Sequence, residues 1–166
     1  MPPPAELHAQ LVALLPRLRR FARSLTRNVH DADDLVQLAI ERALARAAQL
    51  QADAPLAGWM YGIVRNAWLD EVRARERRQR LLTPDVGDSL AGRVSGPTDA
   101  EQLAVQEALA SLPEEQRSAV ALVLIEGLSY KEAAYALGVP VGTLTSRLAR
   151  GRGALQRLLG EPGPQA

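Results

Sequence analysis

Apolar residues recur three and four positions apart near the start of the chain, at Leu7, Leu11, Leu14, Leu15, Leu18, Phe21, Ala22 and Leu25. That spacing is one face of an α-helix. Arg17, Arg19, Arg20, Arg23 and Arg27 fall mostly off the stripe, where a helix faces water. Pro16 sits inside the pattern, and its missing N–H and bulky ring predict a kink or a broken turn. Leu35, Leu38, Ala39, Arg42 and Ala43 predict a second helix, to about Ala48. Asp31, Asp33 and Asp34 stand at its start, where negative charge suits the helix dipole. Residues 49–58, with Asp53, Pro55 and Gly58, read as a loop. Trp59, Ile63, Ala67 and Val72 then mark a third helix that runs into an arginine cluster.

The pattern breaks over residues 81–100, where Gly, Pro, Ser, Thr and Asp collect without periodicity. We expect a linker over 81–98, dividing a first domain (1–80) from a second (99–166). Three pairs in the second part have capping-box spacing, Thr98–Glu101, Ser111–Glu114 and Ser129–Glu132. They predict helices near 99–110, 112–125 and 130–137, with a fourth near 141–158. No alternating strand pattern survives, so the fold class is all-α: two small helical domains and a flexible linker.

Composition changes this picture little. The chain has 166 residues, 47% hydrophobic but only 4% aromatic, so its cores must be mostly Leu, Val and Ala. There are no cysteines, which excludes disulfides and thiolate metal sites and fits a reducing, cytoplasmic setting. No apolar run approaches a membrane span and no signal peptide is visible, so a membrane protein is not expected. Asp31, Asp33 and Asp34 lack a calcium loop, and His8 and His30 join no catalytic constellation. Neither a metal, a cofactor nor an enzymatic centre is expected.

Charge changes it more. The net charge is only +1, yet charge is sorted along the chain. Segment 65–80 holds six arginines against Asp70, Glu71 and Glu76; segment 99–132 holds seven acids and two bases. Segment 133–160 holds Arg147, Arg150, Arg152 and Arg157 with no acid.

Two stretches carry candidate chemistry. In "LSYKEAAYALGVPVGTLTSRLARGR" (128–152), Ala133, Ala134 and Leu137 form one apolar face and Leu144 and Leu148 another. Gly138 permits a sharp turn between them, with Val139 filling the gap. This is a helix-turn-helix pattern whose outer face is polar and basic. An ordinary helical hairpin would normally mix Glu with Arg on that face. The second stretch holds Trp59, Tyr61 and Trp68, half of the chain's aromatics, beside the densest arginine run. Interleaved rings and cations suit stacking on unpaired bases; burial of the tryptophans in a core is the plainer alternative.

These features together resemble bacterial RNA polymerase sigma factors of the extracytoplasmic-function (ECF) type. "DADDLVQLAIERAL" (31–44) is similar to the segment that docks on the clamp coiled coil of core RNA polymerase. "LAGWMYGIVRNAWLDEVRARERR" (56–78) is similar to the segment that melts and reads the minus-ten element. "LPEEQRSAVALVLIEGLSYKEAAYALGVPVGTLTSRLARGR" (112–152) is similar to the region that reads the minus-thirty-five element. The resemblance implies that Asp34, Leu35, Val36, Gln37 and Glu41 lie at the polymerase interface. It implies that Asn66 helps to hold a flipped-out minus-ten base, and that Arg65, Arg73 and Arg75 hold the non-template strand. Thr143, Thr145, Ser146, Arg147 and Arg150 would enter the major groove. Core polymerase, promoter DNA and an anti-sigma factor, in many members membrane-bound, are the implied partners. The chain departs from the family pattern at Leu38, where Glu is common, at Thr145, where a basic residue is frequent, and at Ala149, where a bulkier residue is common. A helix-turn-helix regulator that binds duplex DNA without polymerase would leave 31–80 unexplained; a purely protein-binding adaptor would leave the acid-free helix unexplained.

Overall fold

Among the described residues, 3–82 and 100–160 of the computed structural model, all regular structure is helical. The chain divides into two compact units, Met1–Ser95 and Gly96–Ala166. The expected linker lies, from residue 83 onward, outside the described residues, as does Thr98.

The first unit is a three-helix bundle of α1 (Pro4–Thr26), α2 (Val29–Ala45) and α3 (Leu56–Leu81). Helix α1 runs through Pro16 without a break, contrary to the sequence expectation. Pro16 and Val12 both face solvent, so the carbonyl that loses its intrahelical donor is open to water, while Leu11 and Leu18 stay buried on the other side. Arg27 closes α1 in a left-handed conformation (φ 58°). Helix α2 starts earlier than its acids suggest. The Asn28 side-chain oxygen accepts the Asp31 N–H at 3.1 Å, so an Asx cap rather than a carboxylate opens the helix. It ends at Ala45, before a single 3₁₀ turn (Ala47–Gln49). Helix α3 also starts early, at Leu56 behind Pro55, and extends unbroken through the arginine cluster.

Phe21, Leu18 and Ala22 of α1, Ala32, Val36 and Ala39 of α2, and Met60, Tyr61 and Val64 of α3 build the core. Burying each large side chain there stabilises the unit by roughly 1.5–3 kcal/mol. The Phe21 and Tyr61 rings meet edge to face, centroids 5.2 Å apart at 80°.

The second unit comprises α4 (Ala100–Ser111), α5 (Glu114–Val120), a π-helical turn (Ala121–Ile125), α6 (Tyr130–Leu137) and α7 (Val141–Leu159). Helices α4, α5 and α6 all pack on α7. The N-cap expected at Ser129 forms: its hydroxyl oxygen accepts the Glu132 N–H at 3.1 Å. The one expected at Ser111 does not. Pro113 drives its predecessor out of helical geometry and becomes the N-cap itself. Ser111 remains in the last turn of α4, where its hydroxyl donates to the Glu107 carbonyl at 2.9 Å. The helix expected over 112–125 is thus a shorter α5 and a π turn, closed by a Glu126 N–H bond to the Ala121 carbonyl at 2.9 Å.

Gly138 ends α6 in the left-handed region (φ 65°), where a side chain would be strained. The Val139 N–H turns back to the Ala134 carbonyl at 3.1 Å. Pro140 then opens α7, and Leu144, Leu148 and Gly151 are its buried positions. At Gly151 helix α7 comes close to α5. A Cβ there would lie 2.7 Å from Val120 Cγ2 and 3.2 Å from the Gln116 carbonyl oxygen. One turn-face away, a Cβ on Gly153 would meet only the Arg157 guanidinium at 3.7 Å.

The two glycines should therefore respond oppositely to alanine. Gly153→Ala gains helix propensity of about 0.8–1 kcal/mol. Gly151→Ala gains the same but overpacks a buried crossing against stiff Val120, at about 1–3 kcal/mol. Urea unfolding should place Gly153→Ala above and Gly151→Ala below the parent chain in midpoint.

Candidate nucleic-acid interface

The rotation of α7 is set by its buried positions. With Leu144, Leu148 and Gly151 turned inward, Thr145, Ser146, Ala149, Arg150 and Arg152 face out, and Thr143 and Arg147 sit at the flanks. The Thr145 hydroxyl donates to the Val141 carbonyl at 2.9 Å and Ser146 to the Gly142 carbonyl at 3.2 Å. Each hydroxyl has spent its one proton inside the helix and shows acceptor lone pairs outward. Such oxygens can receive the amino groups that cytosine or adenine offers in the major groove. Arg150 is exposed and makes no ion pair among the described residues. Arg147 differs: its side chain is only 18% exposed, and Nη2 lies 3.7 Å from Glu115 Oε1 on α5. The acid that α7 lacks in sequence is thus brought to it by the fold.

In the first unit, Asn66 is exposed, and Asp70, Arg73, Arg77 and Arg80 continue the same outward stripe at four- and three-residue spacing. Asp70 is engaged by Arg42 of α2 at 3.0 Å, which leaves the stripe net basic. Arg73 is exposed, 3.9 Å from the other Asp70 oxygen. Arg65 is half-buried at the stripe's edge.

Arg75 lies elsewhere. Its Nε is 3.1 Å from Glu71, its Nη2 is 3.7 Å from Asp31, and its guanidinium stands over the Trp68 ring at 5.6 Å. It ties α3 to the start of α2 rather than standing free for a strand. Of the three clustered aromatics, Tyr61 is fully buried, whereas Trp59 and Trp68 are half-buried. Stacking on bases is therefore closed to Tyr61, and the face of Trp68 is shared with Arg75.

On α2, Asp34, Gln37 and Glu41 point outward in a row. Leu35 and Val36, expected beside them at an interface, are core residues at 6% and 3% exposure. Their part is to seat the helix. Leu38 and Leu44, 37% and 46% exposed, complete the outer face instead. Among the described residues no His, Asp or Glu group is placed to hold a metal ion, and no helix is long and apolar enough to cross a membrane.

The family model for sigma-70 region 2 matches residues 11–78, and that for sigma-70 region 4 matches residues 102–155. The ECF RNA polymerase sigma factor EcfG of Rhodopseudomonas palustris is 36% identical over 159 residues, 96% of this chain and 88% of that protein. The ECF RNA polymerase sigma factor SigM of Mycobacterium tuberculosis is 41% identical over 144 residues, 87% of this chain and 72% of that one. The sigma factor RpoE of Bartonella quintana, solved in complex with the anti-sigma factor NepR, superposes with a TM-score of 0.80 at 33% identity, covering 94% of this chain and 98% of that one. The chain belongs to the ECF RNA polymerase sigma factors. Its activity is to direct promoter-specific transcription initiation, and it is not an enzyme.

Sequence reasoning about this sigma factor did not name Arg77, Arg80, Leu38 and Leu44 among the candidate site residues, nor Glu115 as the partner of Arg147. The four- and three-residue spacing of Asn66, Asp70, Arg73, Arg77 and Arg80 was a signal for the first pair. Nothing local signals Glu115, because its meeting with Arg147 is a product of the α5–α7 crossing.

Arg75 and Arg73 should separate in a stability measurement. Arg75→Ala removes two partly screened ion pairs and a cation–π contact, together about 1 kcal/mol. Arg73→Ala removes only a long, exposed contact and should stay within about 0.5 kcal/mol of the parent. Chemical denaturation of the two variants checks both figures.

Proposed function

We propose that the two units divide promoter recognition between them. Residues 1–80 dock on core RNA polymerase and open the minus-ten element; residues 99–166 read the minus-thirty-five element; the segment 81–98 links them. The observation that carries this reading is the separation of outward faces by chemistry. A mixed acidic and apolar face on α2, a cationic stripe on α3, and a polar, basic face on α7 belong to one chain, within the two family regions in order.

On α2, Asp34, Gln37, Glu41 and Leu38 form the docking face, with Leu35 and Val36 holding it from beneath. On α3, Asn66 bonds an unstacked minus-ten base. Arg65, Arg73, Arg77 and Arg80 hold the strand by its phosphates, and Arg75 supports α3 from behind. Opening the duplex costs a few kcal/mol per unstacked step. Phosphate contacts and polymerase docking offset that cost, so no catalytic residue is needed. On α7, Thr143, Thr145, Ser146 and Arg150 meet base edges or flanking phosphates in the major groove. Arg147 bonds a guanine; a good bidentate pair discriminates by about 1–3 kcal/mol. The protein works in the cytoplasm, where polymerase and promoter are. Its likeness to the Bartonella quintana sigma factor, seen bound to NepR, supports an anti-sigma partner here too.

Reconstitution tests the reading. The full chain is mixed with bacterial core polymerase and a genomic promoter library, and transcripts are sequenced. We expect initiation from sites sharing a minus-thirty-five and a minus-ten sequence; absence of both promoter-specific initiation and a complex with core would sink it. Asn66→Ala is expected to keep closed-complex formation while reducing permanganate reactivity of thymines at minus ten. Unchanged melting removes Asn66 from the site.

Arg80→Ala should weaken binding equally across promoters, and should flatten the slope of log affinity against log salt by about 0.7–0.9. A change confined to particular sequences would assign Arg80 to a base.

A further inference from the structure

Of the four arginines on α7, Arg147 is the one held by a carboxylate from another helix among the described residues. Its side chain is 18% exposed, whereas that of Glu115 is 64% exposed. The pair joins the first turn of α5 to the outer flank of α7, next to Ser146 and one turn before Arg150. As a stabilising contact it is weak, because one partner is largely hydrated and the separation is 3.7 Å. Its geometry matters more than its strength. A free arginine samples many rotamers, and ordering it on a base costs entropy at the moment of binding. A guanidinium has five N–H donors in a fixed fork, and a carboxylate on one edge leaves donors on the other edge free.

Resting on the reading that Arg147 contacts a base, we propose that Glu115 is a positioning residue for minus-thirty-five specificity. It holds the Arg147 fork on the α5 side of the recognition helix before DNA arrives. The carboxylate also adds negative charge beside a phosphate backbone. It therefore works against non-specific binding while favouring the one register in which Arg147 keeps both partners. Selectivity is raised at the expense of general affinity. Its neighbour Glu114 is engaged differently, accepting the Ser118 hydroxyl at 2.6 Å within α5.

The test is a double-mutant cycle in initiation assays with core polymerase on a promoter whose minus-thirty-five element is randomised. Wild type, Glu115→Ala, Arg147→Ala and the double variant are compared, with thermal unfolding of each chain. We expect Arg147→Ala to lose preference at one base-pair position. Glu115→Ala should lose about 5–10-fold of preference at that same position, a part of what a bidentate contact supplies. It should bind unrelated duplex a few-fold more tightly and unfold at the parent temperature. In the Arg147→Ala background the second substitution should change the preference no further. The inference is overturned if Glu115→Ala keeps the preference. It is equally overturned if the loss persists without Arg147, since Glu115 would then act through the α5 terminus. A preference left unchanged by Arg147→Ala but changed by Glu115→Ala also overturns it, while promoter-specific initiation by the wild type leaves the sigma function standing. Failure of the wild type to initiate at all is the separate failure of that function.

Discussion

The inward seating of Leu144, Leu148 and Gly151 governs the second unit. These three positions, four and three residues apart, fix which side of α7 meets α5 and α6 and which side is left for a partner. The leucines supply apolar area. Gly151 supplies proximity, since a methyl group there would stand inside the contact shell of Val120 and the Gln116 carbonyl. Glu115, next to Gln116 on α5, and Arg147, one turn before Gly151 on α7, meet at this same crossing. Packing in the core and electrostatics on the reading face are therefore one arrangement.

The first unit meets a different constraint. One continuous helix, α3, must be a core element and a cationic surface. It divides the two roles partly along its length and partly around its circumference. Met60, Tyr61, Ile63, Val64 and Ala67 fill the core from its first half, and beyond Arg75 nearly every residue is exposed. Between the halves, like charges would crowd one another. Asp31 and Glu71 relieve the crowding by drawing Arg75 to the α2 side, and Asp70 is itself drawn to Arg42. Of the outward arginines, Arg73, Arg77 and Arg80 lie on one line with Asn66, while Arg78 bonds Glu71 at 3.3 Å. A purely basic helix of this length would have repelled itself; a fully paired one would have had nothing left for a phosphate.

Most of the fold was legible in the sequence because its determinants are local. Apolar spacing and capping signatures together located the seven α-helices of the described residues, and the Gly138 turn and the Ser129 cap appeared where their chemistry placed them. The misjudged features depend on what lies across the chain or on a neighbouring residue. Pro16 did not break α1, because water can serve the carbonyl it abandons and the buried leucines on the other side hold the helix. Ser111 did not cap α5, because Pro113 competes for the boundary. Leu35 and Val36 look like interface residues in a linear motif, yet the 3.6-residue period turns them inward and turns Leu38 and Leu44 out. Tyr61 belongs to the core for the same reason. The candidate site was legible as a set of residue types and less so as a set of contacts.

Arg147 and Arg75 show why. Both are arginines in basic segments, and composition alone makes both candidates for nucleic acid. Tertiary structure gives each a carboxylate, but with different consequences. Arg75 is held from two acids and one ring, on the side of α3 that meets α2, so it serves the scaffold. Arg147 is held from one acid on one edge, at the rim of a face whose hydroxyl protons are already bonded within the helix and whose oxygens are left as acceptors. A guanidinium that is partly committed can still bind, and its remaining donors have a direction. Specific recognition of a base edge needs direction more than it needs charge, because charge is met equally by every phosphate on the duplex. The acid-free sequence of α7 supplies attraction to DNA, and the acid that folding brings beside it supplies the means to discriminate.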